Sequence, residues 1–170
     1  NEVNNLGFKP IEIEKLAAKI GSDCPFFLRN APVFATGTGN IFREIKLDLS
    51  GYYLVIVLPD VHVSTPQAYN MVSPAKPYQS LYDLIQQPLN QWKETIINDF
   101  EPIIFNQFPE LKKIKEELYR LGAEFASMSG SGSAFYGFFT HPPQDMGILN
   151  NYYSYSIITN PFGILSPDLT

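Results

Sequence analysis

Residues 52–58, Tyr-Tyr-Leu-Val-Ile-Val-Leu, form the longest apolar run in the chain and set the first constraint on its fold. The run mixes β-branched and aromatic residues and stops at Pro59-Asp60, so it reads as a buried strand. It is far too short for the ~20 residues of a membrane-spanning helix. A buried strand needs partners. Val33-Phe34-Ala35 and residues 41–47 read as strands around the turn Thr36-Gly37-Thr38-Gly39-Asn40, and 124–128, 134–139 and 152–159 read as further strands. Ile13, Leu16, Ala17 and Ile20 recur at helical spacing, with Pro10 near the start and Gly21 as a stop, predicting a helix over 10–20. Leu111, Ile114, Leu118 and Leu121 line one face of a helix closed by Gly122. Shorter helices are predicted at 80–86, 88–97 and 100–107, and residues 74–80 read as a loop. Strands and helices mix without strict alternation. The expected class is therefore α+β: an antiparallel sheet with helices on one face, in a ferredoxin-like layout.

Composition narrows the partners. Twelve Lys+Arg stand against 17 Asp+Glu, a formal net charge of −5. This argues against a generic nucleic-acid or anionic-membrane surface, both of which need clustered Lys and Arg. A small phosphorylated ligand stays open, because backbone amides can bind one. The single cysteine, Cys24, excludes an internal disulfide framework and a Cys-rich zinc site, and favours a reducing cytoplasm. His62 and His141 are isolated and no His/Cys/carboxylate cluster has ligand spacing, so no protein-built metal site is expected.

Three segments carry candidate chemistry. Ser129-Gly130-Ser131-Gly132-Ser133 lies between two apolar strands. Glycine permits positive φ and close ligand approach, and successive N–H groups can form an anion nest with hydroxyls adding donors. The plainer reading is a turn between strands. The loop is neither a nucleophile elbow, which needs glycine at 129, nor a Walker A loop, which needs a following Gly-Lys-Ser/Thr. In Gly21-Ser22-Asp23-Cys24-Pro25-Phe26-Phe27, Asp23 follows a helix stop and precedes apolar residues, and Pro25 is expected to end any helical option. A carboxylate beside an apolar wall can serve as a general base, while a turn-forming Asp is the commoner use. Cys24 reads as a small packed hydrophobe. Finally, Thr65 is expected as a helix N-cap with Pro66 at the first helical position, which puts Thr65 and Tyr69 on one side of the helix. Together they could hold a planar base; the alternative is a cap plus a core tyrosine.

Taken in order, these segments resemble the GHMP small-molecule kinases. Within that superfamily they are most similar to the branch acting on a cytidine-diphosphate-linked tetritol in non-mevalonate isoprenoid synthesis. The resemblance rests on the Asp23 segment, on Tyr53-Leu54-Val55-Ile56-Val57-Leu58-Pro59 leading to Val63-Ser64-Thr65, on Asn98-Asp99-Phe100-Glu101, on Gly122-Ala123, and on Met128-Ser129-Gly130-Ser131-Gly132-Ser133. Residues beyond about 140 add little. The resemblance implies ATP-dependent phosphorylation of a hydroxyl, with Mg2+ arriving on ATP. It implies that Asp23 accepts or orients the hydroxyl proton, that Thr65 lies near the polar part of the substrate, and that Tyr69 stacks on the cytosine. It also implies that the loop Ser129, Gly130, Ser131, Gly132 and Ser133 lies against the phosphates.

Residues 1–50 would be the end of an N-terminal kinase domain and 51–170 the C-terminal domain. Such kinases also carry a Lys-x-Asn segment and a Gly-rich phosphate loop opening a helix, and neither is in this sequence. The 170 residues alone are therefore expected not to be a competent kinase, and to self-associate through apolar surface that would face the missing part. Two rival readings are a mevalonate-type or sugar kinase of the same superfamily and a non-catalytic ferredoxin-like ligand-binding module.

Overall fold

Side chains alternate across a β-strand, and a computed structural model shows which side of the apolar run is buried. It describes residues 6–29, 31–73, 79–147, 149 and 153–159, the last as backbone. The chain divides into two units, Asn1–Leu47 and Asp48–Thr170.

The first unit contains α1 (Pro10–Ala17), α2 (Cys24–Arg29), β1 (Val33–Thr36) and β2 (Ile41–Glu44). Pro10 is the first residue of α1, where its missing N–H costs nothing, and the Lys9 N–H donates to Glu12 Oε2 at 2.7 Å. The helix stops at Ala17, short of the expected 20. None of its residues is buried, and Leu16 and Ile20 are exposed. Pro25 does not end helical structure as expected; it is the second residue of α2, within the first turn, where no N–H partner is lost. β1 and β2 pair antiparallel from Val33↔Glu44 to Thr36↔Ile41, so β2 is shorter than the 41–47 expected.

The second unit begins with β3 (Tyr53–Pro59), α3 (Thr65–Met71) and α4 (Leu81–Leu84). A 3₁₀ turn at Leu89–Gln91 leads into α5 (Trp92–Thr95), α6 (Glu101–Gln107) and α7 (Pro109–Arg120). Last come β4 (Phe125–Met128), β5 (Phe135–Phe139) and β6 (Tyr153–Thr159). The sheet order is β4-β5-β3-β6, every neighbouring pair antiparallel, which is the expected ferredoxin-like arrangement. Residues 74–78 of the expected loop, and residue 152 at the start of the last expected strand, lie outside the described residues.

Val55 and Val57 of β3 are fully buried, whereas Leu54 and Ile56 are half-buried and Leu58 is exposed. The apolar run is thus buried on one face, as in an antiparallel sheet, and not on both. Over that face lie Leu111, Ile114 and Leu118 of α7 and Ile104 of α6, packed with Ala126, Met128, Phe135 and Phe139. Their 3–4 residue spacing makes one helical stripe, and each buried side chain contributes roughly 1.5–3 kcal/mol. Gly122, at φ +98°, ends α7 while the Ala123 N–H reaches back to the Leu118 carbonyl at 3.0 Å. Trp92 is also buried. Its indole N–H donates to the Gln87 carbonyl at 2.9 Å, and its ring meets Phe125 edge-on at 5.5 Å.

β4 is an edge strand, and its outward backbone groups need partners. Helix side chains supply them. The Tyr119 hydroxyl donates to the Ala126 carbonyl at 3.2 Å, and Glu101 Oε1 accepts from the Met128 N–H at 2.8 Å. Burial raises the Tyr136 hydroxyl above its usual value near 10, opposed by its hydrogen bond with Ser127 and reinforced by the Glu101 charge.

Two outcomes follow from this core. Leu118→Ala lowers stability by about 2–5 kcal/mol in urea unfolding, because the contacts around the site are closed. Tyr136 favours its neutral form more in the folded state than in the unfolded one. Its contribution is therefore complete below pH 10 and is lost as pH rises through the raised folded value. Melting temperatures between pH 8 and 11 should fall less steeply for Tyr136→Phe than for the parent chain.

Candidate functional site

The site in the second unit is built where β4 passes into the Ser/Gly loop. Ser129 closes the loop with an N–H bond to the Ala134 carbonyl at 2.8 Å, and the Gly132 N–H reaches the Ser129 carbonyl at 3.0 Å. Gly130 (φ +55°) and Gly132 (φ +98°) take the left-handed conformations this path requires. A Cβ on Gly132 would stand 2.9 Å from Met128 Sδ and 3.6 Å from Val63 Cγ2. A side chain there would have to push Met128 aside and would be strained at φ +98°, so glycine suits the loop this close to the core.

Val63 leads directly to α3. Here the structure corrects one expectation: Ser64, in extended conformation (φ −72°, ψ 113°), holds the N-cap position, and Thr65 and Pro66 are the first two helical residues. Thr65 Oγ1 instead accepts the Ser131 hydroxyl at 3.2 Å, joining the start of α3 to the middle of the loop. One turn on, Tyr69 is 63% exposed, while Ala68 turns into the core. Tyr69 is thus not a core tyrosine. Its ring meets Phe100 at 5.0 Å and an interplanar angle of 70°, which steadies it while most of the side chain stays open.

Asn98 and Glu101, quoted above only as part of a matching motif, brace this arrangement. Asn98 Nδ2 donates to the carbonyls of both Met128 and Gly130, each at 2.8 Å, and Asn98 Oδ1 accepts the Phe100 N–H at 2.9 Å. The buried Glu101 accepts from the Met128 N–H, from the Ser127 hydroxyl at 3.1 Å and from the Lys115 ammonium. Sequence spacing could not reveal these roles, because the partners on β4 and the loop lie 26 to 32 positions away.

Asp23 belongs to the first unit. It sits just before α2, exposed. Its Oδ1 accepts the Ser22 hydroxyl at 3.3 Å and its carbonyl accepts the Phe26 N–H at 3.1 Å. Gly39, at φ +90° in the β1–β2 turn, passes so close that a Cβ there would stand 2.8 Å from Asp23 Oδ1. Phe26 and Phe27, expected as an apolar wall, are exposed, and Cys24 is a half-buried free thiol. Of the expected site residues, Thr65, Tyr69 and Ser129–Gly130–Ser131–Gly132–Ser133 share the second unit. The hydroxyls of Thr65 and Ser131 with the glycine-permitted backbone offer donors suited to an anion, and Tyr69 offers an aromatic surface. Among the described residues, no group of three or more His, Cys, Asp or Glu is placed to hold a metal ion, and no helix is long and apolar enough to cross a membrane.

Known proteins resemble this chain in both sequence and fold. The family profile of the C-terminal part of GHMP kinases matches residues 78–153. The chain is 52% identical over 142 residues to the 4-diphosphocytidyl-2-C-methyl-D-erythritol kinase of Parabacteroides distasonis, a match covering 84% of this chain and 52% of that protein. It is 50% identical to the enzyme of the same name from Bacteroides thetaiotaomicron, over 86% of this chain and 55% of that protein. The chain thus spans about half the length of the curated relatives it matches. A crystal structure of 4-(cytidine 5'-diphospho)-2C-methyl-D-erythritol kinase superposes with a TM-score of 0.70 at 25% identity, covering 92% of this chain and 58% of that one. Homoserine kinase from Cytophaga hutchinsonii, at 17% identity and a TM-score of 0.65, shares the fold. With the colinear motifs and the ferredoxin-like sheet already described, these matches place the chain in the GHMP kinase family, residues 78–153 carrying that family's C-terminal domain.

Proposed function

We propose that the protein carrying this chain phosphorylates a hydroxyl of 4-diphosphocytidyl-2-C-methyl-D-erythritol with ATP, a step of non-mevalonate isoprenoid synthesis in the cytoplasm. The observation that carries this reading is the Ser131–Thr65 hydrogen bond, which sets the loop beside the helix that bears Tyr69. Phosphoryl transfer depends mainly on positioning and on stabilising charge on the transferred group. In this reading the backbone N–H groups and hydroxyls of residues 129–133 face the phosphates. Thr65 contacts the polar part of the substrate, and Tyr69 stacks on the cytosine. Asp23 accepts or orients the proton of the hydroxyl that is phosphorylated. Mg2+ arrives on ATP as part of the substrate and offsets phosphate charge.

The relatives' greater length supports a division of labour in which residues 1–50 end the N-terminal kinase domain and 51–170 form the C-terminal one. The 170 residues by themselves then lack a Gly-rich phosphate loop and a Lys-x-Asn segment, and do not turn over substrate. The exposed Leu16, Ile20, Phe26, Phe27 and Leu28 of the first unit support a further reading: isolated chains self-associate through apolar surface that the rest of the protein would cover.

ATP-coupled turnover of 4-diphosphocytidyl-2-C-methyl-D-erythritol by the full-length protein tests the function. Asp23→Asn should remove nearly all turnover. Tyr69→Ala should weaken substrate binding by about 1–3 kcal/mol, the usual worth of a base stacked on an aromatic ring. Indifference to the cytosine ring would instead favour another GHMP substrate. The isolated chain should show no turnover and should bind a hydrophobic dye; wild-type-like turnover, or a clean monomer without dye binding, would contradict the division of labour or the self-association, respectively.

A further inference from the structure

We infer that Asn98 is a positioning residue for phosphoryl transfer, acting through the Ser/Gly loop; this rests on the reading that residues 129–133 face the phosphates of ATP. The carboxamide of Asn98 straddles the loop entry. Its Nδ2 spans the carbonyls of Met128, the last residue of β4, and of Gly130, the second residue of the loop, at 2.8 Å each. Its Oδ1 is held by the Phe100 N–H at 2.9 Å.

Each polar atom of the side chain therefore has a partner, and one planar group ties the start of α6 to both sides of Ser129. Gly130, at φ +55°, has the wide backbone freedom of a residue without a side chain, and the bond to its carbonyl restrains the peptide plane that follows. Holding that carbonyl sets the direction in which the following N–H groups point. The other side of the loop is tied separately, by Ser131 to Thr65. Glu101 secures the strand beneath by accepting the Met128 N–H, which leaves Asn98 as the side chain seen to grip a carbonyl within the loop itself.

Asparagine suits this place better than aspartate. The two share shape, and both can accept the Phe100 N–H, but a carboxylate would turn an oxygen toward the two carbonyls. Misplacing donors by even a fraction of an ångström weakens a preorganised site.

The test compares full-length wild type with Asn98→Asp and Asn98→Ala, using ATP and 4-diphosphocytidyl-2-C-methyl-D-erythritol, with Trp92→Phe as a control that perturbs the fold elsewhere. Two hydrogen bonds of ordinary strength predict a loss of about tenfold or more in kcat/KM for ATP. The KM for the cytidine substrate should change less than kcat/KM for ATP, since Asn98 reaches Tyr69 and Thr65 only indirectly, through Phe100 and Ser131. Amide hydrogen exchange should rise across residues 129–133 and stay unchanged in β3. Trp92→Phe should lower the melting temperature without this ATP-selective loss. Asn98→Ala should move in the same direction, which keeps the test decisive if the aspartate variant fails to fold. Wild-type values of kcat/KM for ATP in both variants, or equal losses on both substrates, would overturn the inference while leaving the proposed function standing. A wild-type protein without kinase activity would overturn both.

Discussion

The open edge of β4 is the constraint on which the second unit depends. Among the described residues no strand lies beside its outward-facing groups at Ala126 and Met128, and a buried polar backbone group without a partner costs about 1–3 kcal/mol. The fold answers with Tyr119, Glu101 and Asn98, drawn from α7, from the first residue of α6, and from the turn before it. Glu101 is the boldest of these. Burying a carboxylate is costly, and here the cost is offset by the Lys115 ammonium, the Met128 N–H and the Ser127 hydroxyl together. Satisfying a sheet edge thereby locks the beginning of α6 against the end of β4.

That lock fixes where the Ser/Gly loop begins. The Ser/Gly loop leaves β4 at the residue the lock holds, and Asn98 extends the grip to Gly130, two residues further. On its other side the loop meets α3, where Ser64 takes the capping position and releases the Thr65 hydroxyl to meet Ser131. A loop of small residues would otherwise sample many conformations, since glycine loses the most backbone freedom on folding. Restraints on both sides convert it into a shaped surface, the preorganisation that the proposed phosphate contact calls for.

Much of the architecture was legible because local chemistry and tertiary structure agree. The run 53–58, the Leu111–Ile114–Leu118 stripe and the Gly122 stop each follow from periodicity or backbone preference and appear as expected. Where local rules allow two answers, the sequence alone misjudged. Ser64 and Thr65 are both good caps, so the cap was placed one residue late. Pro25 can break a helix or begin one, and α2 begins at Cys24 with Pro25 in its first turn. The apolar run could not say whether one face or two are covered, because that depends on which helices pack on the sheet.

The sequence by itself determined the strands and every helix except α2, the class of the sheet, the small-residue loop and the motif order that marks a GHMP kinase. All of these rest on interactions within a few residues or on patterns read in line. Only the tertiary structure decided that Asn98 holds the loop and Glu101 the end of β4 beneath it, that Thr65 faces Ser131 and that Tyr69 stands open beside Phe100. Those contacts join positions about 25 or more apart in the chain, and nothing short of the folded packing of α3, α6 and β4 brings them within hydrogen-bonding or ring-contact reach.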